Sequence, residues 1–196
     1  MVDSGLINTN MSTATNNLSE ALFRRQLGML FFIATEAMMF AGLISAYLVL
    51  SKTAASWPPP EQPRLPIVLT GFNTLLLLWS GVCVALAAKN PASLRWLTTA
   101  LLGGFAFLAI QGGEWLRLIH YGLSVENNTF AGTFYVIIGT HAIHVFLGAI
   151  ALAVTLIRGA RQGILNDRFQ ISFTSSRLYW YFVVGVWPIL YALVYL

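Results

Sequence analysis

The chain has 196 residues, of which 57% are hydrophobic and 9% are charged, and its mean hydropathy is +0.72. Soluble globular domains are about 45–50% apolar and about 25% charged, so this composition excludes a soluble enzyme, a disordered protein and a nucleic-acid-binding protein. The net charge of +4 comes from 11 basic and 7 acidic residues. The single cysteine, Cys83, excludes a disulfide framework and a metal site built from cysteines.

Five segments are long and apolar enough to cross a bilayer, which takes about 20 residues. We therefore predict an all-α, polytopic membrane protein whose five transmembrane helices occupy residues 26–196, with spans at about 27–50, 66–88, 96–119, 130–157 and 178–196. Residues 1–25 are predicted to be a mobile N-terminal segment, because the first 17 are rich in Asn, Thr and Ser. Asn17, three residues before Glu20, resembles a capping box that begins the first helix.

The basic residues predict the orientation in the membrane. Three of the 11 lie on one side of the predicted spans, namely Lys52, Arg64 and Arg117. The other eight lie on the opposite side: Arg24, Arg25, Lys89, Arg95, Arg158, Arg161, Arg168 and Arg177. Because cytoplasmic connections carry the excess of Lys and Arg, the N-terminus is predicted to be cytoplasmic and the C-terminus to lie outside.

A carboxyl group is predicted near the middle of the first span, at Glu36. An ionised group at the bilayer centre costs at least about 2.5–3.5 kcal/mol, so Glu36 is either protonated or paired with a group on another helix. His141 and His144 lie near the middle of the fourth span, three residues apart and on one helix face. We therefore expect Glu36 to contact one of these histidines, although each of the three could instead be satisfied by a local carbonyl or hydroxyl.

The second and third spans contain further polar side chains. Glu114 precedes Arg117 by three residues, a spacing that favours an intrahelical ion pair, and Gln111 lies on the same face. Asn73 in the second span is expected to hydrogen-bond to another helix. These four residues are interpreted as structural polar pairs.

Metal and haem binding by this chain is not expected. Two histidines three residues apart on one helix cannot supply both axial ligands of a haem, and the only other histidine is His120, at the end of a span. Three histidines and one cysteine are too few for a haem-copper centre.

Four segments, in this order, resemble cytochrome c oxidase subunit III, a subunit of the haem-copper terminal oxidases. They are residues 27–42 (LGMLFFIATEAMMFAG), 73–77 (NTLLL), 111–115 (QGGEW) and 139–145 (GTHAIHV), and the resemblance covers nearly the whole chain from Leu27. The last span, at residues 180–187 (WYFVVGVW), has Tyr181 where the family has histidine and Val184 where it has aspartate.

The resemblance implies a short, five-helix form of the subunit, with the first two helices splayed from the other three around a cleft that holds phospholipid. It implies a multi-pass protein of a bacterial-type inner membrane that docks against catalytic subunit I, the carrier of haem and copper. The chain itself would catalyse no step but would support the stability of subunit I and proton uptake. It also implies that Glu36, His141 and His144 form a buried proton and lipid-cleft site.

Two other functions remain open from the sequence. One is an accessory subunit of a nitric-oxide-reductase-type complex, to which the altered last span could point. The other is an independent proton-coupled transporter that uses Glu36 and the two histidines as a relay. Transporters usually show repeated halves with matching broken helices, whereas five spans without an internal repeat do not favour that architecture.

Overall fold

The computed structural model describes residues 4–59, 66–90, 94–122 and 129–196, and for residues 4–18 and 21 it describes the backbone alone. These residues form five helices, each long and apolar enough to cross a membrane. They are α1 (Ser4–Thr53), α2 (Ile67–Lys89), α3 (Arg95–His120), α4 (Thr129–Gln162) and α5 (Asp167–Tyr195). The predicted connections at 60–65, 91–93 and 123–128, which include Arg64, lie outside the described residues.

Helices α2 to α5 form a closed four-helix bundle, in which each packs against its neighbours in chain order and α5 returns to α2. Helix α1 lies outside this bundle, against α5 and over a shorter stretch against α4. Within the described residues it makes no close approach to α2 or α3. The expectation that the first two helices splay away together is therefore wrong, because α2 is an integral member of the bundle.

Two tryptophans on one face of α5 fill the centre of the bundle. Trp180 and Trp187 are seven residues apart, which places them on the same side of the helix, and both are fully buried. Each indole N–H donates to a hydroxyl on α2, that of Trp180 to Ser80 Oγ at 3.2 Å and that of Trp187 to Thr74 Oγ1 at 2.8 Å. The large apolar rings can therefore be buried without leaving a polar atom unpaired.

Glycines on two other helices make room for Trp180. A Cβ atom on Gly104 of α3 would lie 2.6 Å from the indole Cη2, and one on Gly148 of α4 would lie 2.8 Å from Cε3. The ring is thus held between α3 and α4, and these two positions require the absence of a side chain.

The last two helices extend beyond the predicted spans. Helix α4 continues to Gln162 and α5 begins at Asp167, although the charged residues between 158 and 177 suggested a long connection. Gly163, with φ +84°, ends α4, and the Asn166 side chain caps α5 by accepting a hydrogen bond from Arg168 N at 2.9 Å. Charges limit how far a segment enters the bilayer, but they do not stop a helix from continuing into water.

Helix α1 also begins earlier than predicted. Its backbone is helical from Ser4, so the helix start assigned to Asn17 is wrong. At 1.5 Å per residue its 50 residues span about 75 Å, far more than the roughly 30 Å apolar layer of a bilayer. The mobility of residues 1–25 stays a prediction.

Adding one methyl group at Gly104 tests the packing around Trp180. We expect Gly104→Ala to destabilise the protein by about 1–3 kcal/mol, because the indole cannot move away without disturbing α4. The measurement is thermal unfolding in detergent followed by near-UV circular dichroism. Gly112→Ala is the matched control on the same helix, since nothing lies within 4 Å of its added Cβ. Equal effects of the two substitutions would contradict this account.

Candidate functional site

The membrane-embedded carboxyl group of Glu36 contacts a histidine of α4. Its Oε2 atom lies 2.9 Å from Nε2 of His144, so the contact expected with one of the two histidines is present and involves His144. Nδ1 of His144 lies 2.7 Å from the carbonyl oxygen of Thr140, one turn earlier in the same helix. Both side chains are largely buried, with 19% of Glu36 and 10% of His144 exposed.

An aromatic cluster surrounds this pair. Phe40, one turn after Glu36 and 2% exposed, presents its ring to His144 with the centroids 5.2 Å apart, and it also contacts Phe182 of α5. The ring of Tyr179 on α5 lies 6.4 Å from that of His144 and 5.9 Å from that of Phe32 on α1, centroid to centroid. The Glu36–His144 contact is therefore a polar interaction within apolar surroundings.

His141 is placed differently from its neighbour. It is 1% exposed and stacks on Trp187 with centroids 4.8 Å apart, while Phe107 and Phe40 meet it edge-on. Neither of its ring nitrogens has a hydrogen-bond partner among the described residues. The structure therefore brings Glu36 and His144 together but does not connect His141 to them through hydrogen bonds.

A second polar cluster joins α2, α3 and α5. Asn73 donates to the carbonyl oxygen of Phe107 at 3.2 Å and to Gln111 Oε1 at 3.4 Å, and Gln111 Nε2 donates to Tyr195 OH at 3.1 Å. The interhelical hydrogen bond expected of Asn73 is present. Tyr195 was not identified from the sequence, because its position as the last residue of the last helix carries no signal of a partner on α3.

Within the described part of the chain no direct salt bridge joins Glu114 to Arg117, although the charge of Arg117 still acts on the carboxyl group. Glu114 is 3% exposed and faces α2, where Thr70 Oγ1 lies 2.9 Å from its Oε2, whereas Arg117 is exposed. Burial against α2 turns the carboxyl group inward, while the guanidinium remains at the surface near the end of α3. Thr70 Oγ1 also lies 3.0 Å from Pro66 O. Because the hydroxyl has one hydrogen, it can donate fully to Pro66 O and still bond to Glu114 only if Glu114 carries a hydrogen and donates it to Thr70.

A groove runs along α1, α4 and α5 on the side of the basic residues. Its basic part, a cavity of about 450 Å³, is lined by Arg25, Arg158 and Arg168. The adjoining part, about 320 Å³, shares Arg25 and continues along Met29, Phe32, Leu147 and Tyr179. Arg158 Nη1 donates to Ser172 Oγ at 2.8 Å between the two parts.

The convergence of these arginines was not predicted from the sequence. Arg25 precedes Arg158 by 133 positions, and in the sequence these residues indicated only an orientation. The sequence placed each of these arginines near the end of a span, which could have suggested that they lie close together. Only the packing of α1 against α4 and α5 brings them to one cavity. The cavity combines positive charge with an apolar extension, a combination that suits an amphipathic anion.

Comparison with known proteins gives a consistent set of matches. A sequence model of the family described as cytochrome c oxidase subunit III matches residues 9–196. A protein named cytochrome c oxidase subunit 3 from Thermostichus vulcanus is 34% identical over 180 residues, covering 88% of this chain and 87% of that protein. Proteins of the same name from Synechocystis and Bacillus subtilis are 32% and 29% identical, covering 88% and 87% of this chain and 75% and 84% of their own lengths.

Proposed function

The chain belongs to the cytochrome c oxidase subunit III family, and we propose how its contacts support the function of such a subunit. It is a multi-pass membrane subunit of a haem-copper oxidase, and the match over residues 9–196 is the observation that carries this assignment. The membership favours an oxidase over a nitric-oxide-reductase-type complex or an independent transporter.

Within the oxidase, the chain docks against subunit I and catalyses no step itself, and haem and copper reside in partner subunits. The small number of metal-ligating side chains supports this division, with three histidines and one cysteine in the whole chain. Its contribution is to support the stability and proton uptake of the catalytic subunit.

The groove along α1, α4 and α5 binds an anionic phospholipid. Arg25, Arg158 and Arg168 provide positive charge for a phosphate group, and the side chains of Met29 and Phe32 line an apolar path for an acyl chain. The groove passes Tyr179, next to the Glu36–His144 pair, so this pair lies beside the lipid rather than in contact with water. His141 lies in the same region, where its ring packs against that of Trp187.

The basic residues support an orientation in a bacterial-type inner membrane. Arg25, Arg158 and Arg168 line one cavity and so lie on one side of the protein. The excess of basic residues on that side favours a cytoplasmic location, and five spans then place the C-terminus outside.

The assignment predicts co-purification with a haem-bearing partner. A tagged chain extracted in mild detergent should elute with the visible absorbance of haem in a fixed ratio, because a subunit remains bound to its complex. Mass spectrometry of the same fraction identifies the partner. Elution of the intact, membrane-derived chain without haem under conditions that preserve oxidase activity would contradict the assignment.

The lipid proposal predicts a loss of bound anionic phospholipid when Arg25 and Arg158 are both replaced by Gln. The complex should still assemble, since these side chains lie at the surface of the groove, and lipid mass spectrometry after delipidating washes should show less retained lipid than in the wild type. Arg161→Gln is the control, because Arg161 is an exposed arginine of α4 that does not line the cavity. Unchanged lipid content in the double variant would refute the proposal.

The orientation predicts selective labelling of introduced cysteines. In a Cys83→Ala background, Ser56→Cys should react with a membrane-impermeant maleimide in intact spheroplasts, whereas Leu165→Cys should react only after lysis. Both positions are exposed in the connections between helices, and Leu165 is 89% exposed. The reverse pattern of labelling would mean that the chain has the opposite orientation.

A further inference from the structure

The hydrogens between Glu36 and His144 can be counted from their contacts. The carbonyl oxygen of Thr140, 2.7 Å from Nδ1 of His144, can only accept, so Nδ1 carries a hydrogen. The remaining contact, 2.9 Å between Nε2 and Oε2 of Glu36, then needs one hydrogen, which either atom can carry. The pair is a neutral imidazole facing a carboxylic acid or an imidazolium facing a carboxylate, and its net charge is zero in both forms.

Any other number of hydrogens is unfavourable. Without the shared hydrogen, a carboxylate faces the lone pair of Nε2. Moving the hydrogen from Nδ1 to Nε2 does not repair this, because the lone pair of Nδ1 then faces the Thr140 oxygen. With one hydrogen more, the bond persists but a net positive charge is buried among apolar side chains, which is costly in a membrane.

Two other titratable side chains lie close to the pair. The neighbouring titratable groups are His141 on α4 and Tyr179 on α5, and in the described residues neither is hydrogen-bonded to the pair. Phe40 of α1 packs its ring against that of His144. The nearest arginine of α1 is Arg25, 11 residues or about 16 Å along the helix.

This contact lies on the face by which α1 packs against α5 and, over a shorter stretch, against α4. Only Phe40 and Tyr47 of the described α1 side chains are buried apolar residues, and both lie on the face that begins with Glu36. Toward the outer end, Tyr47 packs on Trp57, which in turn contacts Phe130 of α4. Toward the basic end, the groove separates α1 from α4 and α5, so the Glu36–His144 pair lies where the packed part of α1 gives way to the open part.

We propose that Glu36 and His144 together bind a single proton, and that this bound proton holds α1 against α4 and α5. The pair is a structural proton-binding site rather than a station through which protons pass. The inference rests on contacts within this chain and not on the lipid or the partner subunit, so it can fail while the proposed function stands.

The test compares substitutions that change the number of ionisable hydrogens. In Glu36→Gln, a hydrogen of the side-chain amide takes the place of the shared proton and can donate to Nε2 of His144. In His144→Leu the acceptor is lost. Glu114→Gln is the matched control, since among the described residues Glu114 is the other largely buried carboxyl group and has no histidine partner. Spin labels at Glu20→Cys and Arg161→Cys in a Cys83→Ala background report the separation of α1 from α4 in the purified complex.

We expect a single narrow distance for the wild type and for Glu36→Gln, because a hydrogen lies between the two side chains in both. His144→Leu should give a broader, longer distribution, and Glu114→Gln should behave as the wild type. A broad distribution in Glu36→Gln would overturn the proposal, because a hydrogen between the two side chains would then not be enough to hold α1. So would a narrow distribution in His144→Leu.

Discussion

A carboxyl group in the middle of a membrane must be neutral or paired, and the Glu36–His144 contact meets this requirement across two helices. The contact at 2.9 Å leaves the pair without net charge. It fixes the depth of α1 relative to α4, because a shift by one turn would separate the two side chains. The aromatic contacts of Phe40 with both histidines and with Phe182 then follow from the same register.

Polar groups buried in the four-helix bundle must also be paired, and there the partners are mainly uncharged side chains. Polar atoms buried between α2, α3 and α5 are paired mainly with hydroxyls and amides, such as Ser80 and Thr74 beneath the two indoles and Gln111 beneath Tyr195. His141 is an exception, since neither ring nitrogen has a partner in the described residues. Its imidazole ring packs on Trp187. Leaving a buried polar group unpaired costs about 1–3 kcal/mol.

Hydropathy predicted the five spans because a long apolar segment of a membrane protein has few possible structures other than a membrane-spanning helix. The ends of α4 and α5 could not be predicted in the same way, since polar residues such as Arg158 and Gln170 continue the helices beyond the apolar segments. Depth along the spans was enough to expect Glu36 near His141 or His144, but not to choose between them. Spacing alone suggested Glu114 with Arg117, but the direction in which Glu114 faces depends on α2, and spacing within one helix carries no information about that neighbour.

The most direct measurement concerns the two ring nitrogens of His144. Solid-state NMR of the ¹⁵N-histidine-labelled complex in lipid, with the signal assigned by its loss in His144→Gln, reports which nitrogens carry hydrogen. The account predicts a protonated Nδ1 near neutral pH, with Nε2 in hydrogen-bonded contact with Glu36. An unprotonated Nδ1 would contradict it, because the hydrogen bond to Thr140 could not then form and the count of one shared proton would be wrong.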